Sequence, residues 1–338
     1  MNREDIFWCE HRMAFDVVAI GSATIDYFAD TDSELIQIDT RTSHESLLAF
    51  PLGSKILIKE LNMTTGGGGT NTATAFTRLG LRTAYLGKLG MDPPADFILA
   101  SLAAENIEFL GAQAGKSGIS FVLNSIGDDR TILAYKGAND ELLPEDIPEF
   151  ETGWVYLSSM INRSFTTLVD YITQGSFKVA FNPSSYQAEM GYEKLKPLID
   201  RVSILVMNRE EACKLLGLDY HQHSDVAKLT RQLSQVPGQT TIVTDGAAGA
   251  WVFDGEAVLT ARPTPDLKIL ETTGAGDAFA ATFTACKIRG LATVEALDIA
   301  MTNAESVLQH KGAKERLLEW DQLTARVSAH PRPVERIS

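Results

Sequence analysis

Two glycine-rich stretches, far apart in this 338-residue chain, hold the residue types best suited to chemistry. The later one reads Thr272-Thr273-Gly274-Ala275-Gly276-Asp277 and runs into a small-residue segment with helical character. Unpaired backbone N–H groups at a helix N-terminus, with the positive end of the helix dipole, form an anion site suited to phosphate oxygens. Gly274 and Gly276 let that backbone approach closely. Asp277 in the first turn would face the same anion, a placement that makes sense if its task is to take a proton from an attacking hydroxyl. The plainer alternative is a glycine loop whose aspartate only caps the helix.

The earlier stretch is Gly66-Gly67-Gly68-Gly69-Thr70-Asn71. Four glycines before a small-residue helix let the backbone pass close to a ligand or to another segment. Asn71 either caps that helix or offers its amide to a substrate hydroxyl. Neither stretch is a dinucleotide fingerprint. The later one lacks a third glycine and lies near the C-terminal end, and Gly21, after the first apolar run, is followed by no second glycine. A Gly-x-x-x-x-Gly-Lys-Ser/Thr loop is missing from the sequence.

These stretches need elements to hold them. The β-branched run at 15–21 reads as a buried strand, and 27–65 as short strands exposed on one face. A helix is expected at 70–79, a strand at 83–89 and a helix at 93–105. Two strands, 119–125 and 131–136, flank a turn at Gly127-Asp128-Asp129. Beyond 150, strands at 154–157, 178–181, 204–207 and 241–244 alternate with helical patterns at 164–174, 192–199, 209–216 and 224–234. A hairpin at 251–259, long helices at 274–290 and 293–309, and a loose tail after His330 complete the reading. This alternation predicts an α/β fold with a mostly parallel sheet and helices on both faces.

A hydrophobic fraction of 44% and a charged fraction of 22% suit an ordinary globular core. The net charge of −14 repels phosphate backbones and anionic membrane surfaces, so neither nucleic acid nor membrane is an expected partner. An anionic ligand would then need local donors or a metal. Cys9, Cys213 and Cys286 are too scattered for a disulfide framework or a zinc site, and reduced thiols suggest a cytoplasmic protein. His221 and His223 lack a third nearby ligand and read as a solvated loop. The N-terminal residues lack the apolar core of a secretory signal, and no run is long enough to span a bilayer.

Taken together, Thr272–Phe279 resembles the second signature of the ribokinase-like (PfkB-type) carbohydrate kinases, and Gly66–Ala75 with Arg78-Leu79-Gly80 resembles their first. The segments 86–92, Gly137-Ala138-Asn139, Asn182-Pro183, Asn208-Arg209-Glu210-Glu211 and 244–249 are similar to further family landmarks. The resemblance covers roughly 15–318. It implies a three-layer α/β/α sandwich with a small β-sheet lid: a kinase domain at 14–325 with lid segments near 27–64 and 118–137, an N-terminal extension at 1–13 and a tail at 326–338.

The resemblance further implies ATP-dependent transfer of a γ-phosphate to a hydroxyl of a sugar or sugar-like acceptor. Asp277 would be the base, with Gly274, Ala275 and Gly276 as the anion hole. Asp26, Gly67, Asn71 and Asn182 would bind the acceptor. Asn208 and Glu211 would organise Mg²⁺ through water, and Thr244, Gly246, Gly249 and Asn303 would border the nucleotide. Glu271 replaces the aspartate many members carry beside a monovalent-cation loop, which leaves that dependence open. Free sugar, nucleoside and phosphosugar are all open as acceptors. Lys55, Lys59, Arg130, Lys136 and Arg163 are candidates for an acceptor phosphate or plain surface charges, and Phe28, Phe121 and Tyr135 are candidates to stack a purine. Exposed lid strands suggest a homodimer. A non-catalytic sugar- or nucleotide-sensing protein on the same fold is the alternative from another class.

Overall fold

The computed structural model describes residues 14–31, 34–39, 44–124, 130–310 and 312–337. The N-terminal extension 1–13 with Cys9, and the turn 127–129, lie outside the described residues.

The strand Ala14–Ile20 sets the architecture. Val17 and Ala19 enter one core layer while Val18 and Ile20 enter the other, so an unbroken apolar run is buried on both faces. Thr83–Leu86 and Glu151–Leu157 flank it in parallel. From Glu151–Leu157 the sheet continues through Lys178–Phe181, Ile204–Asn208 and Thr240–Thr244, all parallel, and then through the antiparallel strands Ala250–Phe253 and Val258–Ala261. The chain therefore builds outward on one side of Ala14–Ile20 before returning to the other. That reversal opens a crevice at the carboxyl ends of the central strands, where open α/β sheets bind ligands.

One face is covered by the helices Gly68–Arg78, Pro93–Ala104, Ala275–Ile288, Thr293–Leu308 and Trp320–Ala329. The other carries Asn162–Gln174, Tyr192–Ile199, Arg209–Leu216 and Val226–Leu233. Gly68–Arg78 and Ala275–Ile288 are rich in Gly, Ala and Thr, and both are buried along most of their length. Such small side chains allow close helix approach, which brings the two glycine-rich stretches together.

A separate four-stranded sheet forms the lid: Thr24–Thr31 pairs with Gly118–Asn124 and Ile58–Gly66, and Arg130–Tyr135 closes the edge. At the opposite end the expected loose tail is overturned. Val334–Ile337 adds a tenth strand to the main sheet against Val258–Ala261, and Arg332 pairs with Glu305 at 2.9 Å in a buried site that also holds Asp298. The segment after His330 carries no local signal of a strand, but that long-range charge pairing holds it. The helix Trp320–Ala329, to which the sequence reading assigned no element, precedes it.

Candidate active site

The crevice is walled by the turn after Ala14–Ile20 and by the glycine run. Gly69 N–H donates to the Ser22 carbonyl at 3.0 Å. A Cβ on Gly67, whose φ is +93°, would lie 2.4 Å from the Ser22 oxygen. Only glycine fits there, on both torsional and steric grounds. Asn139 fixes the same turn from the lid side, accepting from Ala23 N–H and donating to Ala23 C=O, each at 2.9 Å. On the first lid strand, Asp26 is buried and accepts from the Thr24 hydroxyl at 2.7 Å. Burial raises its carboxyl above the usual value, against hydrogen bonds from Thr24 and Ser120 and the charges of Lys314 and Lys136.

Asp277 stands opposite, in the first turn of Ala275–Ile288. Asn71 Nδ2 donates to Asp277 Oδ2 at 2.8 Å, joining residues from the two glycine-rich stretches. Burial raises the Asp277 carboxyl, while that hydrogen bond and Lys314 hold it down and Asp26 pushes it up again. Asn71 is itself buried, and its Oδ1 and the Tyr156 hydroxyl have no hydrogen-bond partner among the described residues. The N–H groups of Gly276 and Asp277 likewise have no acceptor among the described residues, as expected for a first turn. Space for a Cβ at Gly276 is open, and Gly274, at φ +82°, turns the chain into the helix. A half-buried carboxylate thus sits beside amides that could receive an anion.

The other arm of the crevice is more open. Asn208 and Thr244 are direct neighbours at the ends of adjacent parallel strands. Asn208 Oδ1 accepts from Glu211 N–H at 2.8 Å, and Asn208 N–H donates to Glu211 Oε2 at 3.1 Å, so the pair forms the capping box of Arg209–Leu216. Burial pushes Glu211 up to about 7. One carboxylate oxygen serves the cap, and the other could take a cation or its water. Gly246 opens the turn that follows Thr244, and Gly249, at φ +110°, packs against the Ala261 carbonyl. Asn182 donates to the Val206 carbonyl at 2.8 Å and so ties two strands at the crevice floor. Asn303 does not border the crevice: it is fully buried, donating to Thr282 Oγ1 at 2.8 Å and accepting from Leu318 N–H at 2.9 Å. Both ends of its amide are occupied within the protein.

Against this geometry, the sequence model of the pfkB family of carbohydrate kinases matches residues 14–320. The chain belongs to that family. A sugar kinase of Archaeoglobus fulgidus is 26% identical to this family member over 249 residues, which cover 71% of this chain and 97% of that protein. Among solved structures, the Methanocaldococcus jannaschii nucleoside kinase matches with a TM-score of 0.76 at 20% identity, covering 94% of this chain and 99% of that one. The Arabidopsis thaliana ribokinase complexed with ribose and ATP matches with a TM-score of 0.74 at 21% identity, covering 93% and 98%. The ribokinase fold and the assignment as a carbohydrate kinase follow from these matches.

Strand register in this kinase revises the lid aromatics. Tyr27 is opposite Phe121 and Tyr135 opposite Ile119, which places all of them on the face away from Asp26. Only Phe28 shares the face of Asp26. Of the candidate cations, Lys136 is close enough to Asp26 to act on its ionisation, whereas Lys55, Lys59 and Arg163 are exposed elsewhere. The Arg130 side chain lies outside the described residues.

The residue missed altogether is Lys314, whose Nζ donates to Thr70 Oγ1 at 2.8 Å and Thr65 Oγ1 at 3.0 Å and whose charge acts on both Asp26 and Asp277. Its local sequence carries no signal of this.

Proposed function

We propose that this kinase transfers the γ-phosphate of ATP to a hydroxyl of a sugar or sugar-like acceptor, with Asp277 as general base. The observation that carries this reading is the bond from Asn71 to a half-buried Asp277 at the start of a helix. The Asp277 carboxylate takes the proton of the acceptor hydroxyl, a contribution of about 10²–10⁴ in rate. The amides of Ala275, Gly276 and Asp277 face the charge on the transferred group, and such preorganised donors supply much of phosphoryl-transfer catalysis. Asp26, Gly67 and Asn71 line the acceptor side, and the lid excludes water when it closes.

On the nucleotide side, Thr244, Gly246 and Gly249 form the rim, and Asn208 with Glu211 organises Mg²⁺ through water. When bound, the metal neutralises charge on the donor phosphates. A carboxyl raised to about 7 by burial is one that a nearby cation would return to its ionised form.

The acceptor is a free sugar or a nucleoside before it is a phosphosugar: of the two cations that act on Asp26 among the described residues, Lys314 is already seated on Thr65 and Thr70, which leaves Lys136 to meet an acceptor phosphate. The lid's outer face exposes Leu61, Met63, Phe121, Leu133 and Tyr135, a surface suited to a second copy of this chain. Sedimentation should show a dimer that charged residues at Phe121 and Leu133 dissociate, and a native monomer would remove this point. The buried thiols of Cys213 and Cys286 suit a cytoplasmic setting.

The test of function is an ATP- and Mg²⁺-dependent phosphorylation screen over sugars, nucleosides and sugar phosphates. Transfer to a sugar or nucleoside is expected. Transfer to none of the panel would sink the reading.

A further inference from the structure

Lys314 approaches the acceptor site from behind. Its two acceptors, Thr65 and Thr70, bracket the glycine run, and Thr70 Oγ1 in turn donates to the Gly66 carbonyl at 2.8 Å. A cavity of about 290 Å³, lined by Met63, Thr65, Arg78, Phe97, Ser101 and Lys314, lies on that rear side between the lid and Pro93–Ala104. The backbone of Lys314 is fixed as well. Arg78 Nη1 donates to the Lys314 carbonyl at 2.8 Å, and its guanidinium is held by Glu105. A Cβ on Gly274 would lie 2.5 Å from the Ala313 Cβ, so the segment carrying Lys314 is packed directly against the start of the anion loop.

The charges meeting there come from every surrounding element. Asp277, at the start of its helix, meets Asn71 and the charges of Lys314 and Asp26, and its own charge reaches the Tyr156 hydroxyl. Asp26, on the lid, meets Lys314 and Lys136. Lys314 meets Asp26, Asp277, Glu105 and Arg78. Two carboxylates shut in one dry crevice resist ionising together, and an ammonium near both relieves this. Among the described residues, neither carboxylate lies within ion-pair distance of Lys314. The ammonium therefore acts through space on the pair and is not consumed by one of them.

We propose that Lys314 is a positioning residue of this site: seated on Thr65 and Thr70 behind the glycine run, its ammonium keeps Asp277 ionised beside Asp26, and so sets the pH at which the base begins to work. The link to catalysis rests on the kinase reading above, but the electrostatic claim does not. Burial lowers the Lys314 ammonium to about 8, so its charge is present at neutral pH and is lost just above it.

The test needs neither donor nor acceptor. The full chain is labelled at the aspartate carboxyl carbon with ¹³C, the Asp277 resonance is identified by its loss in Asp277→Asn, and its shift is followed from acid to alkaline pH. In Lys314→Gln, which keeps two N–H donors and loses the charge, the Asp277 midpoint should rise by about one pH unit or more. Lys314→Arg should restore the native midpoint. The native protein should show a second, smaller inflection near 8 that Lys314→Gln abolishes. If Lys314→Gln does not fold, Lys314→Met and the native inflection decide the point. An Asp277 midpoint unchanged by loss of the charge, or an alkaline inflection that survives it, overturns the proposal. A shifted midpoint in a protein that phosphorylates nothing would leave the proposal standing and remove the kinase reading instead.

Discussion

Asp26, Asn71 and Asp277 on the acceptor side of the crevice are buried or half-buried and bonded across great sequence distances, with Lys314 clamped behind them. Across the crevice, Asn208, Glu211 and Thr244 lie at strand ends and a helix cap, and their bonds are local. The first arrangement is cross-linked between distant segments, so a carboxylate there can be tuned and aimed. The second leaves groups accessible to a large, charged, hydrated ligand that brings its own counter-ion. The difference suits a reaction in which one partner must be stripped of water and the other must come and go.

The comparison breaks most severely at Gly67. Gly67→Ala adds a strained torsion, costing about 1–3 kcal/mol, and a clash with backbone at Ser22 of similar size. Thermal unfolding should show a loss of about 3 kcal/mol or more, and a near-native melting curve would mean that the acceptor side is not rigid.

Next is Asn71→Ala, which removes a hydrogen bond to a charged group worth about 1.5–3 kcal/mol. Turnover should fall about 10–100-fold, at roughly tenfold per 1.4 kcal/mol. Without that donor the Asp277 carboxyl is raised further. Activity carried by the ionised base is lost as pH falls through this value, so the acid limb of the rate profile should move to higher pH. An unmoved limb would separate Asn71 from the base.

The smallest effect sharpens the nucleotide side. Glu211, raised from its ordinary 4.5 to about 7, favours the folded state while it is protonated. Stability from this group is full at acid pH and is lost as pH rises from about 4.5 through about 7. Glu211→Gln should flatten that slope in melting temperature, and Mg²⁺ with ATP should oppose it in the native protein. A slope identical in both proteins would show that Glu211 is not desolvated.

Much of the fold was readable because its signals are local. Apolar runs gave the buried strands, and the glycine runs fell where the two small-residue helices begin. Asp277 and Asn71 stand out by their types and neighbours, and the fold joins them by a hydrogen bond. Lys314 was not readable. Its place depends on Ala313 meeting Gly274 and on threonines that lie far away in sequence. Asn303 was misplaced for the converse reason, since only tertiary packing shows that its amide is spent on Thr282 and Leu318. Phe121 and Tyr135 are candidates by residue type alone, and they lie on the face away from Asp26 because strand register, which decides which side a residue takes, is a property of the pairing. Arg332 turned an apparently loose tail into a strand through a buried pair with Glu305.

The measurement that bears most directly on the central claim compares native protein and Asp277→Asn on whichever acceptor the screen identifies, with ATP binding measured in parallel by calorimetry. The account predicts that turnover falls by about 10²–10⁴ while ATP binding is retained. Transfer at a near-native rate by Asp277→Asn, or a loss of ATP binding as large as the loss of turnover, would contradict it.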